Sequence, residues 1–234
     1  QIRDRARINT STADGGSGAP SGTISITARD RIDIQGNLQP DQISTGLLSQ
    51  VEPEATGRGG NIVLNTNQLN LQGDGATISS TTGGLGSGGN ITLQTGELRV
   101  GGGAQIAAAT LGEAPGGTID VISESVRLAG ISADTQSPSG LFTSTGTPDR
   151  PGEGTARAGN IRVRTGQLQI SDGARISASS QNLGRGGTVT VSASEQVELT
   201  GTSADGFFRS GIFAEGRSLG SGGNISVATP NLNL

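Results

Sequence analysis

The sequence predicts an all-β fold, a stacked β-solenoid of about seven coils, each with three short strands and with loop insertions in the longer coils. Three observations predict it: a glycine-anchored tripeptide recurs seven times, alternating aliphatic segments follow each copy, and 41 of 234 residues are Gly while 31% are hydrophobic and 2% aromatic. Such a composition cannot build a large conventional core, but a solenoid joins a few aliphatic side chains per coil into one narrow interior. Intrinsic disorder would not explain the strict two-residue alternation.

The anchoring tripeptide is Gly-Asn-Ile, Gly-Thr-Ile or Gly-Thr-Val. Successive copies are separated by 28 to 42 residues, a period typical of solenoids, propellers and repeat arrays. The longer coils begin at Thr23, Thr118 and Thr188 and carry extra residues after their fourth inward position. The seven anchors begin at Gly22, Gly60, Gly89, Gly117, Gly159, Gly187 and Gly223.

Residues 90–117 illustrate the elements of one coil. Two short strands separated by Gly96, a glycine turn at 101–103 and a third strand are followed by a closing loop. Because side chains alternate between the two faces of a strand, every second residue points inward. The predicted inward set is Ile91, Leu93, Leu98, Val100, Ile106 and Ala108, and the outward set is Thr92, Gln94, Glu97, Arg99, Gln105 and Ala107.

Four inward positions recur in every coil and are expected to stack as columns. With about 4.8 Å between paired strands, seven coils would form a rod of roughly 34 Å. Burial of one aliphatic side chain is worth about 1.5–3 kcal/mol, so a charge placed in any column should be severely destabilising. The columns run from Ile24, Ile26, Ile32 and Ile34 to Ile225, Val227, Leu232 and Leu234, respectively.

Glycine and asparagine mark the turns between strands. We expect glycine at the bends because it adopts positive φ and leaves space where a Cβ would clash. Asn tolerates left-handed geometry and bonds to backbone groups, so the row of Asn beside the anchors is interpreted as a structural ladder. Its members are Asn61, Asn90, Asn160 and Asn224.

The insertions of the long coils contain the candidate interaction residues. Within them, Leu47, Leu141 and Ile212 align with inward residues of the compact coils, so the residue that follows each should point outward. Each insertion then either folds over its own outward side chain as a local core or presents a lateral apolar patch. The candidate patch consists of Leu48, Phe142, Phe207, Phe208 and Phe213.

Residues 1–234 are predicted to form a single β-solenoid segment. Gln1–Ile8 matches Gln169–Ile176, so we expect an interior fragment of a longer repeat protein without caps at its ends. Unpaired strand edges at both ends would favour association. No apolar stretch approaches the roughly 20 residues of a membrane span, and no signal peptide opens the sequence.

The residue types present exclude most familiar catalytic and metal sites. His and Cys are absent, which removes imidazole-based triads, thiolate metal sites and disulfides. Glycoside hydrolysis requires two carboxylates at a short defined separation, whereas the outward strand carboxylates lie on different coils: Asp33, Glu97, Asp120 and Glu198. We therefore predict no catalytic, cofactor-binding or metal-binding residues.

A calcium site is the strongest metal alternative. Asp4, Asp74 and Asp172 share one turn phase but lie in nonadjacent coils, and the nonapeptide of calcium-binding β-rolls is not matched. Turn capping explains these carboxylates better. Ice binding would require an unbroken outward array of threonines. Val63 and Arg162, among others, interrupt that array.

The repeated Gly-Gly-Asn-Ile and the segments 173–180 and 210–214, the latter reading Ser-Gly-Ile-Phe-Ala, resemble a known family. They are similar to the repeat region of filamentous haemagglutinin-like exoproteins of two-partner secretion, particularly the large cyanobacterial members. The resemblance covers essentially the whole chain, although the family's N-terminal secretion domain is not visible in it. It implies a right-handed parallel β-helix, export through an outer-membrane secretion pore, and a surface or secreted fibre acting in adhesion, aggregation or biofilm.

We therefore expect a structural protein without enzymatic activity, an extracellular or cell-surface rod that displays loops as an adhesin. The expected partners are other copies, joined end to end or laterally into fibres, the secretion pore during export, and a glycan or other cell-surface ligand. Nucleic acid is not expected, because the net charge is −4 and phosphate binding needs a concentrated basic face. The alternatives are a carbohydrate-binding or polysaccharide-degrading β-helix and a passive surface-layer or sheath component.

The absence of readily oxidised side chains bears on where the protein is located. Cys, Met, Trp and Tyr are all missing, which leaves almost no readily oxidised side chain. Amplification of repeats built from small residues explains this, and so does exposure to oxidants outside the cell.

Overall fold

The structure is a computed structural model that describes residues 1–12, 18–37, 44–52, 55–145, 155–217 and 219–234. Within these ranges the chain forms β-strands and no helix, so none of the described segments is a helix that could cross a bilayer. The strands are β1 (Arg7–Asn9), β2 (Ile24–Gln35), β3 (Thr45–Leu48), β4 (Ile62–Gln72), β5 (Ala76–Ser79), β6 (Ile91–Gly101), β7 (Gln105–Ala107), β8 (Ile119–Ala129), β9 (Gly140–Phe142), β10 (Ile161–Ser171), β11 (Arg175–Ser177), β12 (Thr188–Thr200), β13 (Gly211–Phe213), β14 (Asn224–Ala228) and β15 (Asn231–Asn233).

The strands form two parallel sheets, and long and short strands alternate along the chain through most of the fold. The long-strand sheet has the order β14-β12-β10-β8-β6-β4-β2, with β15 also paired to β12, and the short-strand sheet has the order β1-β3-β5-β7-β9-β11-β13. A third row of isolated parallel bridges runs through Thr82, Thr110 and Thr145. Strands stacked in sequence order in two parallel sheets confirm the predicted all-β solenoid.

The predicted aliphatic columns form the core. Ile62, Ile91 and Ile119 are paired directly across β4, β6 and β8, and each is fully buried. At the edge formed by β14 and β15, the same columns end in partly open side chains, since Ile225 is 47% and Leu232 50% exposed. The interior is therefore a continuous aliphatic spine that opens to solvent at this edge.

The first two strands predicted for each coil run on as one long strand with a polar corner inside it. The hydroxyl of Thr95 is buried and donates to the carbonyl of Glu97 at 2.9 Å, and that of Thr165 donates to Gln167 at the same distance. Ser123 makes the equivalent bond to Ser125 at 2.7 Å. At the corner in β10 the ladder with β12 shifts register, between Thr165 and Gln167.

The anchor glycines are required by close stacking rather than by positive φ. A Cβ on Gly89 would lie 2.1 Å from the carbonyl oxygen of Gly60, and one on Gly117 would lie 1.9 Å from that of Gly89. None of the anchors has positive φ, which occurs instead at turn glycines such as Gly103 and Gly173. The expectation of positive φ is thus correct for those turns and wrong for the anchors.

The asparagines beside the anchors form backbone-directed hydrogen bonds, as the structural interpretation requires. The side-chain oxygen of Asn61 accepts from the backbone N–H of Asn90 at 3.0 Å, and that of Asn90 accepts from Thr118 at 2.9 Å. Asn160 makes the same bond to Thr188. Because none of these residues has positive φ, the ladder depends on hydrogen bonding and not on left-handed geometry.

Candidate interaction surface

The insertion at 201–210 is a short hairpin with a rigid turn. Thr202 and Arg209 form an antiparallel bridge at its base. At its tip the Asp205 carboxylate accepts hydrogen bonds from the Ser203 hydroxyl and from the backbone N–H of Phe207, the latter at 3.0 Å. The Ser203 hydroxyl in turn accepts from the N–H of Phe208 at 2.9 Å. These bonds hold the backbone of two consecutive phenylalanines in place.

The same hydrogen bonds favour the ionised form of the Asp205 carboxyl at the hairpin tip. The Ser203 hydroxyl, followed by the Phe207 N–H, lowers the pKa of the fully exposed Asp205 carboxyl below its usual value of 3.8. Asp205 is therefore ionised over the whole physiological range, and the turn retains its strongest acceptor.

An arginine lies between two aromatic rings at the base of the hairpin. The guanidinium carbon of Arg175 is 5.1 Å from the centroid of Phe208 and 4.8 Å from that of Phe213, within the range of cation–π attraction. Burial lowers the pKa of the Arg175 guanidinium, an effect that Glu215 partly opposes. The hairpin thus covers an outward side chain of β13 as a small local core, which is one of the two alternatives that the sequence leaves open.

The described insertions dock onto the turn of the preceding repeat. The backbone N–H of Gly173 donates to the Ser210 hydroxyl at 2.9 Å, and that of Gly103 donates to the Ser139 hydroxyl at 2.9 Å. At Gly103 a Cβ would lie 2.5 Å from the Cβ of Ser132, so the turn glycine makes room for the insertion. Most of the first insertion, residues 38–43, lies outside the described ranges.

The five predicted patch residues differ widely in exposure. Phe207 is 82% exposed at the hairpin tip, whereas Leu48 is only 3% exposed. Phe142, Phe208 and Phe213 are half-buried. Pairing places Leu48, Phe142 and Phe213 in one column of the short-strand sheet, which is buried at Leu48. Of the five, Phe207 is the side chain most open to solvent.

A second apolar feature, which the sequence analysis missed, is a set of exposed leucines in the loops that precede the anchor glycines. Leu85 is 62%, Leu111 46% and Leu183 42% exposed, and Leu219 is also open. Each directly precedes a glycine, in the segments Leu-Gly-Ser-Gly-Gly, Leu-Gly-Glu, Leu-Gly-Arg-Gly-Gly and Leu-Gly-Ser-Gly-Gly. The recurring Leu-Gly pair is the signal that would have revealed these leucines. Leu85, Leu183 and Leu219 lie four residues before their anchor glycines, whereas Leu111 lies six residues before Gly117.

The outward carboxylates make polar contacts with other side chains, and two of them, Glu97 and Glu198, line one cavity of about 200 Å³. Asp33 pairs with Arg31 at 3.1 Å, Glu97 with Arg99 at 2.7 Å and Asp120 with Arg162 at 3.3 Å. The fourth, Glu198, accepts from the Gln169 amide at 3.3 Å. Each is thus directed at a basic or amide side chain.

The three turn aspartates have separate surroundings. Asp4 and Asp172 adopt positive φ, and Asp172 accepts from the Ser171 hydroxyl. Asp74 instead bonds to Thr135 of the insertion at 130–139. Over the described ranges, no three acidic side chains gather closely enough to hold a metal ion.

Comparison with known proteins gives no match to a family model, to a curated protein or to a solved structure.

Proposed function

We propose that this chain is a rigid rod segment of an extracellular filament acting in surface adhesion, aggregation or biofilm. In this proposal the solenoid is right-handed and has about seven coils of three strands. It belongs to a longer filamentous haemagglutinin-like exoprotein, which reaches the cell surface through an outer-membrane pore. The chemistry of the chain supplies a scaffold and displayed contacts and no reaction.

The observation that carries the proposal is the continuous aliphatic spine. Columns such as Ile62, Ile91 and Ile119 remain fully buried from strand to strand along the stack. In a repeat array of this kind each unit is stabilised by its neighbours, so length can be extended without a new core. A stiff element of extendable length is suited to holding binding groups away from a cell.

Two surfaces support an adhesive role over a passive sheath. Phe207 stands on a hydrogen-bonded turn and is 82% exposed. Exposed aromatic anchors with little conformational freedom are typical of binding hot spots. The exposed leucines Leu85, Leu183 and Leu219, which share one position of the repeat, add a second contact, for which we propose another copy of this rod as the occupant, because an identical rod presents the same apolar side chains in return.

Bead adhesion tests the proposal. The 234-residue chain is coupled to inert beads, and bead clumping and attachment to bacterial cells are counted against albumin-coated beads. We expect clumping and attachment with the native chain and a clear reduction of both with Phe207→Ser. Phe142→Ser, which changes a half-buried ring of β9, is the control and should leave both close to the native level.

Polysaccharide cleavage separates the adhesive rod from the degrading β-helix. Release of reducing ends from neutral or acidic polysaccharides by the purified chain would favour the enzymatic alternative. Beads that neither clump nor attach would favour the passive sheath component.

A further inference from the structure

A polar groove lies on the outer face of the short-strand sheet, over β5 and β7 and away from the aromatic hairpin. Its volume is about 580 Å³, and its lining combines strand side chains with residues of the insertion at 130–139. Hydroxyl and amide groups dominate that lining, which includes Gln50, Thr77, Thr81 and Gln105. The groove is thus formed by outward side chains of successive repeats.

The insertion at 130–139 closes one side of the groove and is fixed to its floor. An antiparallel bridge between Ile131 and Pro138 forms the base of this insertion. The Thr135 hydroxyl donates to the Asp74 carboxylate at 3.2 Å, and the Gln105 amide donates to the carbonyl of Pro138 at 3.2 Å. Because these bonds join residues far apart in sequence, the wall is part of the folded structure.

Asp74 gives the groove an unmet acceptor. One carboxylate oxygen accepts from Thr135, while the other, Oδ2, is buried and has no hydrogen-bond partner. A buried acceptor without a donor is unfavourable by about 1–3 kcal/mol and more when it is charged. Oδ2 has almost no solvent-accessible surface, so a ligand hydroxyl can donate to it only after the carboxylate turns toward the groove.

The lining restricts the class of that ligand. Among the described residues of the lining, Asp74 is the one charged side chain, and no Arg lies beside it to receive a phosphate, sulfate or uronate. These described residues include no aromatic ring either, so they offer flat aromatic ligands no stacking surface. Alternating hydroxyl and amide groups are suited to a ligand that is itself rich in hydroxyls.

We propose that this groove binds a neutral oligosaccharide, with a sugar hydroxyl donating to the Asp74 carboxylate and the hydroxyl and amide groups of β5 and β7 bonding along the chain of sugars. The inference rests on the proposed function and deepens it, since it names the ligand class of the adhesive rod. Binding through hydrogen bonds alone is weak at one groove. Many rods on one surface raise the effective affinity through multivalency.

Saccharide titration tests this assignment. The 234-residue chain is titrated with cellohexaose, maltohexaose and mannohexaose, and with hexagalacturonic acid as the acidic comparison, by saturation-transfer NMR and calorimetry. We expect at least one neutral hexasaccharide to bind, and the acidic one to bind more weakly. Absence of binding by all three neutral hexasaccharides, or tighter binding of the acidic one, would overturn the proposal.

Matched variants locate the site. Asp74→Asn should weaken binding about fivefold or more, because it removes a charged acceptor. Asp172→Asn makes the same change at the same turn phase outside the groove and should bind like the native chain. Thr77→Val, an isosteric change on the open face of β5, should weaken binding about two- to tenfold without disturbing the fold. Equal affinity of the Asp74 and Asp172 variants, or no effect of Thr77→Val, would refute the assignment.

These experiments distinguish a failure of the saccharide site from a failure of the adhesive function. Saccharide binding is measured on the chain in solution and does not depend on bead clumping or cell attachment. Phe207→Ser, which lies outside the groove, should keep native saccharide affinity. Adhesion without hexasaccharide binding would refute the saccharide site alone. Hexasaccharide binding without adhesion would refute the adhesive function alone.

Discussion

At the scale of single residues, stability depends on side chains in the aliphatic columns. Ile91 is fully buried between Ile62 and Ile119, while its neighbour Thr92 faces outward and is half-exposed. We expect Ile91→Ala to lower the free energy of unfolding by about 2–5 kcal/mol, since it deletes buried methyl groups and leaves a cavity. Thr92→Ala should change it by less than about 0.5 kcal/mol. Urea denaturation checks both, and similar losses for the two variants would contradict the buried column.

Asp205 gives a pH dependence at the same scale. Its pKa is lowered in the folded turn, so its stabilising bonds are fully present above the usual value of 3.8 and are lost as the pH falls through the lower folded value. In an NMR titration the Asp205 carboxyl should titrate below 3.8, and the amide of Phe207 should shift in the same transition. Asp205→Asn should abolish that transition. A Phe207 amide that does not respond between neutral pH and full protonation would exclude this bond.

At the scale of the repeat, glycine performs two different tasks that substitution can separate. A Cβ on Gly117 would lie 1.9 Å from the carbonyl oxygen of Gly89, whereas Gly201 has φ of +72° and open space around it. We expect Gly117→Ala to destabilise by about 3 kcal/mol or more, since two stacked backbones must separate. Gly201→Ala should lose only the left-handed penalty of about 1–2 kcal/mol. Thermal denaturation compares them, and a larger loss at Gly201 would reverse this interpretation.

How much the sequence predicts also differs between elements. The columns through Ile91 and Leu98 could be predicted because a strand has a two-residue period and burial follows it directly. The buried corner at Thr95 was not predicted, because an inward hydroxyl is indistinguishable in sequence from an outward one. The groove was missed for a different reason: Asp74 and Thr135 are brought together by the stacking of repeats, and neither residue's neighbours in sequence indicate this. The contact of Arg175 with Phe208 and Phe213 was missed for the same reason.

At the scale of the whole molecule, the open edge of the stack predicts self-association. Ile225 is 47% and Leu232 50% exposed where β14 and β15 lack a further neighbour, and an unpaired parallel strand with apolar side chains is a template for another strand. The 234-residue chain should therefore form larger species with rising concentration in sedimentation velocity. The double variant Ile225→Lys with Leu232→Lys should remain monomeric, because it places charges against the spine of the incoming copy.

Ile122→Lys is the matched control for end-to-end stacking. Ile122 has nearly the same exposure as Ile225, 43% against 47%, but it lies on the outer face of β8 within the stack. If the rods join through the open edge, Ile122→Lys should associate like the native chain. Association that Ile122→Lys abolishes and the double variant preserves would show that lateral faces join the rods. A native chain that stays monomeric at every concentration would exclude both end-to-end and lateral association.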